Sequence, residues 1–145
     1  MRLAQHELTV ETVPRTATEI TGLVADWVGD QRVESGLLTI FIPHTSASLA
    51  IQENYSPAVW QDISAFLDRL APEDPNRYRH NDEGPDDMPA HLKSLLTQVQ
   101  LTVPVRQGRL CLGTWQGIFL LEHRAAVHRR GLILTLIGED KDAKG

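Results

Sequence analysis

A histidine- and acid-rich segment, YRHNDEGPDDMPAH at 78–91, holds the densest group of side chains in this sequence that could do chemistry. Its two histidines, His80 and His91, enclose four carboxylates, and its prolines and glycine disfavour a regular helix or strand. A third histidine, His44, directly follows an apolar strand, where catalytic side chains are common. Since imidazole and carboxylate suit a divalent ion such as zinc, the pattern predicts a metal site at His44, His80 and His91. The alternative is a solvent-exposed acidic loop with incidental histidines.

A general base is also predicted in this segment. Glu83 follows His80 by three residues and precedes a glycine, so its carboxylate can approach a bound ion without being a ligand. We therefore expect catalytic roles for Glu83, His44 and His80. The sequence contains no zincin, EF-hand, Walker or nucleophile-elbow motif. The other histidines are interpreted as structural or surface residues; they are His6, His123 and His128.

The segment GTWQG at 113–117 is the second unusual stretch, because glycines flank three functional side chains. A hairpin turn between two apolar strands is the simplest interpretation. The functional alternative is a ligand contact, in which Trp115 stacks on a heterocycle. Thr114 and Gln116 would then donate hydrogen bonds to phosphate or to ring nitrogens.

The elements that must position these residues are mixed without strict alternation. Strands are predicted at 6–13, 37–43, 46–53, 99–105, 109–115, 117–123 and 132–138. Helices with apolar stripes are predicted from a Thr16–Glu19 capping box to Asp30, after Ser56-Pro57, and from Pro89 through Leu96. Gly36 is expected to break the chain, and the last four strands to form an antiparallel meander. The predicted class is α+β, a mostly antiparallel sheet packed with about three helices.

Composition narrows the class of protein. The 145 residues suit one domain, which we place at 1–139, before a flexible polar tail at 140–145. A net charge of −5 argues against a nucleic-acid partner. The sequence has neither a signal-peptide pattern nor the roughly 20 apolar residues of a membrane span, so no membrane partner is expected. One cysteine, Cys111, allows no internal disulfide and fits a cytoplasmic location.

Three segments together resemble the YjbQ-like family, whose members are also named secondary thiamine-phosphate synthases. They are PHTSASLAIQEN (43–54), YRHNDEGPDDMPAHLKS (78–94) and VPVRQGRLCLGTWQGIFLLEHR (103–124). The resemblance covers about residues 37–139 and implies a YjbQ-like fold, a homotrimer and a bound metal. The family's motif positions fall on His44, Thr45, Asn54, Tyr78, His80, Glu83, Gly84, Ala90, His91, Thr114, Trp115, Gln116 and Glu122.

The resemblance also implies a function, that of a metal-dependent enzyme with a small, phosphorylated substrate. The named reaction joins a hydroxymethylpyrimidine diphosphate to a thiazole phosphate and releases pyrophosphate. Zinc is the expected ion, and magnesium is the alternative with a diphosphate substrate. The residues implied in substrate binding are Asn54, Thr114, Trp115, Gln116 and Glu122. The competing interpretation is a non-catalytic trimeric metal- or ligand-binding protein.

One position departs from the family pattern. Many relatives carry Asn or Asp directly after the Glu-Gly pair, where this chain has Pro85. The ligand roles of Asp86 and Asp87 are therefore left open by the sequence.

Overall fold

Two antiparallel sheets and three α-helices make up the computed structural model, which describes residues 1–141. The strands are β1 (Arg2–Glu11), β2 (Ala17–Glu19), β3 (Val33–Phe41), β4 (Ala47–Glu53), β5 (Gln100–Arg106), β6 (Arg109–Leu110), β7 (Gln116–Glu122) and β8 (Arg129–Asp140). The helices are α1 (Thr21–Gln31), α2 (Pro57–Leu70) and α3 (Asp87–Leu96), with a 3₁₀ turn at Pro75–Arg77. The predicted α+β class is confirmed.

The hydrophobic core joins α1 to both sheets. Val24 and Val28 of α1 are fully buried against apolar side chains of the larger and the smaller sheet. The strand β8 shows the alternation expected of a sheet with one buried face, since Leu132 and Leu134 are buried and Ile133 is exposed. Within residues 1–141 every helix is too short or too polar to span a membrane.

The four C-terminal strands do not form the predicted meander, and that prediction is wrong. The larger sheet has the order β1-β8-β3-β5-β6, whereas β7 lies between β2 and β4 in the smaller sheet. The strand β8 lies inside its sheet because it pairs with β1 from Arg2–Gly138 to Glu11–Arg129 and with β3 on its other edge. The strand β6 has only two residues, so it offers almost no edge for β7.

Two local predictions near the N-terminus are also wrong. Thr16 and Glu19 do not form a capping box, because the residues between them belong to β2, which pairs with β7. Helix α1 begins only at Thr21, whose hydroxyl donates to the Glu19 carboxylate at 2.8 Å. Gly36 does not break the chain but lies inside β3, where a side chain would overlap the carbonyl oxygen of Ile137.

Helices α2 and α3 bury less of their apolar stripes than the spacing predicts. Leu67 is the buried apolar residue of α2, whereas Leu70 of α2 and Leu95 of α3 are more than half exposed. Helix α3 begins at Asp87, two residues before the predicted start at Pro89. This earlier start is important for the site, since it places Asp87 on the helix.

The C-terminal end of the chain is described only in part. Asp140 is the last residue of β8. Residues 142–145, where most of the predicted tail falls, lie outside the described residues.

Candidate metal centre

Four donor side chains converge beside the N-terminal turn of α3. One ligand atom from each of His80, Glu83, Asp87 and His91 lies within 4.8 Å of the other three. Asp87 is central, because its Oδ2 is 2.7 Å from His80 Nε2 and 3.1 Å from His91 Nε2. Glu83 Oε2 lies 3.5 Å from His80 Nε2. Two imidazole nitrogens and two carboxylate oxygens form a donor set that zinc binds in proteins.

The orientation of His91 is fixed from two sides. Asp87 and His91 are four residues apart on α3, so their side chains share one face of the helix. The Nδ1 atom of His91 is 2.9 Å from the carbonyl oxygen of Thr45. Because a carbonyl only accepts, Nδ1 donates to it, and Nε2 is the nitrogen left to meet Asp87 Oδ2. The carboxylate oxygen cannot donate, so this contact requires either a proton on Nε2 or a metal ion between the two atoms.

The loop before α3 is held by its own hydrogen bonds. Tyr78 Oη donates to Pro72 O at 2.7 Å, and Asn81 Nδ2 donates to Tyr78 O at 2.7 Å. Gly84 has a φ of +98°, a conformation that favours glycine, and turns the chain into α3. These contacts hold His80 of the loop in place opposite the helix.

The charges of His80 and Asp87 stabilise each other. The hydrogen bond with Asp87 raises the pKa of His80. Burial disfavours the ionised form of Asp87, but hydrogen bonds, first that from His80, outweigh burial and lower the pKa of Asp87. Both shifts favour a positive charge, whether a proton or a metal ion, between the rings and this carboxylate.

His44, the third predicted ligand, lies outside this group. Its Nε2 accepts a hydrogen bond from Gly131 N at 3.2 Å, and burial lowers the pKa of His44. The adjacent residue, Thr45, contributes to the group through its carbonyl oxygen. Within the described part of one chain, His44 is not a member of the four-residue group, which contains Asp87 instead. The ligand and catalytic roles of His44 stay predictions.

Glu122, expected to bind substrate, is instead buried in an ion pair. Its Oε1 accepts from Thr12 Oγ1 at 2.7 Å and from Arg130 Nε at 2.8 Å. Its Oε2 accepts from Arg130 Nη2 at 2.6 Å and from Arg124 N at 3.1 Å. Burial alone would raise the pKa of Glu122, but these hydrogen bonds lower it. With both oxygens occupied, this carboxylate does not fit the predicted substrate-binding role.

The remaining residues predicted to bind substrate lie at the far end of β4 and β7; they are Asn54, Thr114, Trp115 and Gln116. Gln116 pairs with Glu53 at that end, while Glu122 pairs with Ala47 at the end next to Thr45. At about 3.3 Å per residue, the two ends are about 20 Å apart. Within one chain, this segment therefore lies apart from the four donors.

Trp115 belongs to the surface and not to the core. Its side chain is 57% exposed, and its ring meets Tyr55 edge-on with the ring centres 5.1 Å apart. The neighbouring Asn54 donates through Nδ2 to Glu19 Oε2 at 3.1 Å. Since β6 and β7 belong to different sheets, the GTWQG segment crosses between sheets, and its interpretation as a hairpin turn is wrong.

Comparison with known proteins gives the family. Residues 6–139 match the family described as UPF0047 protein YjbQ-like. The UPF0047 protein of Synechocystis sp. is 46% identical over 138 residues, which are 95% of this chain and 94% of that protein. The chain belongs to the YjbQ-like UPF0047 family. The UPF0047 protein YjbQ of Salmonella typhimurium is also 46% identical, over 93% of this chain and 98% of its own.

Solved structures related to this YjbQ-like chain have the same fold. An uncharacterised YjbQ/UPF0047 family protein from Clostridium acetobutylicum superposes with a TM-score of 0.82 at 32% identity. A conserved hypothetical protein from Thermus thermophilus gives a TM-score of 0.81 at 36% identity. Each comparison covers 91% of this chain and 99% of the other, which confirms the predicted YjbQ-like fold.

Sequence reasoning left open one central residue of this YjbQ-like chain. Asp87 is only 2% exposed and contacts both histidines, yet the sequence did not distinguish it from its neighbours. The available signal was the spacing of Asp87 and His91, which is four residues and places both on one helical face. That signal was missed because the helix was predicted to begin at Pro89.

His123 was also misjudged, since it is buried and not on the surface. Its Nε2 is 2.8 Å from Ser48 Oγ, and burial, with the nearby Lys93, lowers the pKa of His123 to about 4. The ring is therefore neutral at pH 7. It lines a cavity of about 330 Å³ together with Trp60 and Lys93, and none of the four donors lines this cavity.

Proposed function

We propose that this chain is a metal-dependent enzyme acting on a small molecule, with a divalent ion held by His80, Asp87 and His91. One observation carries the proposal: His91 Nδ1 is committed to Thr45 O, so its Nε2 faces Asp87 Oδ2 at 3.1 Å. A divalent ion held by these two side chains would relieve this contact. Zinc suits the imidazole and carboxylate donors best, and magnesium is the alternative when the substrate brings a diphosphate.

Glu83 is proposed as the general base of the site. Its side chain is 65% exposed, against 2% for Asp87, so it faces the side from which a substrate arrives. Its carboxylate is 3.5 Å from His80 Nε2, which keeps it at the edge of the donor group. A base in this position accepts a proton from the substrate while the other residues hold the ion.

Thiamine-phosphate synthesis is the reaction that we propose to test first. In it, the bond from the pyrimidine methylene to the diphosphate oxygen breaks, and a bond from the thiazole nitrogen to that methylene forms. A divalent ion supplies positive charge for the departing pyrophosphate. Glu83 would take a proton from the pyrimidine amino group as the positive charge develops, and would return it after the new bond forms. The single cysteine supports a cytoplasmic setting for such a reaction.

Metal content and turnover together test this function. Protein purified without an affinity tag is expected to carry about one divalent ion per chain by elemental analysis, because the group offers a single set of donors. Thiamine-phosphate formation should stop with a chelator and return when the ion is restored. Metal binding without any turnover would instead support the non-catalytic binding protein, whereas turnover unaffected by chelator would contradict the metal-dependent mechanism.

We also propose that the chain assembles as a homotrimer. The outer face of the larger sheet carries large apolar side chains that are at least 39% exposed; they are Leu3, Leu37, Phe41, Ile133 and Ile137. Leu3, Ile137 and Leu37 lie side by side across β1, β8 and β3. An exposed apolar surface of this kind is typical of a protein interface, and a repeated contact between unlike patches can close a three-membered ring.

Such a trimer would allow the Trp115 end of one subunit to complete the metal group of another. The Trp115→Ala variant is expected to keep its metal and its melting temperature, because the ring is exposed, but to weaken substrate binding by about 1–3 kcal/mol.

When Trp115→Ala and His91→Ala chains are unfolded and refolded together at equal amounts, roughly a quarter of the sites should combine an intact His91 with an intact Trp115 from a neighbour.

Activity at low substrate concentration measures this recovery, and light scattering measures the mass. The control mixes His91→Ala with Asp87→Asn chains, which both damage the metal group and should not complement each other. A monomer mass at micromolar concentration would contradict the trimer. A trimer without any recovery in the first mixture would contradict only the shared site.

A further inference from the structure

We propose that Arg124 is a positioning residue that sets the coordination geometry of Asp87, and that Asp86 anchors Arg124 instead of binding the ion. This inference rests on the proposed metal site. It assigns different roles to the two adjacent aspartates, which the sequence could not separate.

The two oxygens of Asp87 have separate partners. Oδ1 accepts a hydrogen bond from Arg124 Nη1 at 2.7 Å, while Oδ2 lies 2.7 Å from His80 Nε2 and 3.1 Å from His91 Nε2. The side chain of Asp87 is 2% exposed, so solvent offers it few other partners. With Oδ1 occupied by the guanidinium, Asp87 has only Oδ2 left for an ion and would hold it through that oxygen.

Asp86 lies on the other side of the guanidinium. Its Oδ2 accepts from Arg124 Nε at 2.8 Å and from Ala125 N at 2.9 Å. Asp86 is not a member of the four-residue donor group. Its carboxylate therefore holds the arginine and leaves the metal position to Asp87.

Arg124 makes a third contact, to the loop that precedes α3. Arg124 Nη2 donates to the carbonyl oxygen of Glu83 at 3.0 Å. One planar guanidinium thus uses all three of its nitrogens, one each on Glu83, Asp86 and Asp87, a geometry that the single ammonium of lysine does not reproduce. Arg124 in turn follows the end of β7, and its backbone N–H donates to the buried Glu122. Through these contacts, Arg124 fixes the acidic segment relative to the end of β7.

Zinc affinity tests the inference, measured by competition with a chromophoric chelator on the full chain. Arg124→Met and Arg124→Lys are both expected to weaken Zn²⁺ binding by about 10–100-fold, as is typical when a residue that orients a metal ligand is removed. The matched control is Arg77→Met, because Arg77 is exposed in the same loop and pairs only with Asp74 among the described residues. This control should bind zinc as the wild type does.

A spectroscopic readout separates positioning from general stability. In Co²⁺-substituted protein, the visible absorption should change shape or intensity in Arg124→Lys, since a freed Asp87 can bind through both oxygens. Asp86→Asn should weaken Zn²⁺ binding and change the Co²⁺ spectrum in the same way as the Arg124 variants. The Arg124→Met/Asp86→Asn double variant should bind Zn²⁺ only slightly more weakly than Arg124→Met alone.

The outcomes distinguish this inference from the proposed function. If the wild type binds zinc tightly and both Arg124 variants match its affinity and its Co²⁺ spectrum, the positioning role of Arg124 is wrong and the metal site stands. If the wild type does not bind zinc or another divalent ion, the metal site itself fails and the inference fails with it. Should Arg124→Met not fold, Arg124→Lys and Asp86→Asn still decide the matter by affinity and spectrum.

Discussion

Replacing His91 with alanine is expected to remove bound metal and turnover together, whereas replacing Glu83 with glutamine should remove turnover and leave the metal. His91 supplies one of the three proposed ligand atoms, so its loss should weaken metal binding by more than about 100-fold, beyond the usual effect of removing an orienting residue. Glu83 is exposed at the edge of the group, so the amide preserves its shape and removes only its capacity to accept a proton.

The expected loss of kcat in Glu83→Gln is about 10²–10⁴-fold, the usual contribution of a general base. Elemental analysis measures metal content, the melting temperature measures stability, and turnover at saturating metal measures activity. The control is His6→Ala, because His6 lies on β1, stacks on Trp27 and is outside the donor group. Full activity in Glu83→Gln would show that another group takes the proton. Unchanged metal content in His91→Ala would contradict the ligand assignment.

The grouping of several donor side chains was predictable from the sequence because these residues lie close together in the chain. His80, Glu83 and His91 come from one short segment, and the structure brings them together as expected. The position of His44 outside this group in one chain has a physical reason. The chain after β3 contributes to the site through the backbone carbonyl of Thr45, and no residue pattern identifies which carbonyl will accept a hydrogen bond from a histidine.

The larger arrangement was less predictable because it depends on pairing between distant strands. The sequence indicates most strands, yet it does not show that β7 leaves its neighbours in the chain to pair with β2 and β4. That pairing carries Glu122 into the interior and places Arg124 beside the acidic segment. The residues that contact the four donor side chains therefore could not be predicted without the sheet topology.

The buried ion pair between Glu122 and Arg130 leads to the largest expected change in stability. The side chains of Glu122 and Arg130 are 0% and 6% exposed, and two hydrogen bonds join them. Arg130→Met removes the positive charge but keeps much of the volume, so the Glu122 carboxylate is left buried without its counter-charge. Breaking a buried pair in this way costs about 3–5 kcal/mol of unfolding free energy, which urea denaturation at pH 7 would measure.

The double variant Glu122→Gln/Arg130→Met is the control, since the neutral amide removes the unpaired charge, and it should be more stable than Arg130→Met alone.

The pH dependence of stability gives a second check. In the wild type the pKa of Glu122 is lowered from 4.5, so its ionised form stabilises the fold above that value, and this contribution is lost as the pH falls through the folded-state pKa. In Arg130→Met, burial raises the pKa of the same carboxyl, so protonation relieves the penalty. The stability difference between wild type and variant should therefore shrink as the pH falls from 7 toward 4.5. A difference below about 1 kcal/mol that does not change with pH would show that the pair does not hold this end of the sheet, and would reopen Glu122 as a candidate for substrate binding.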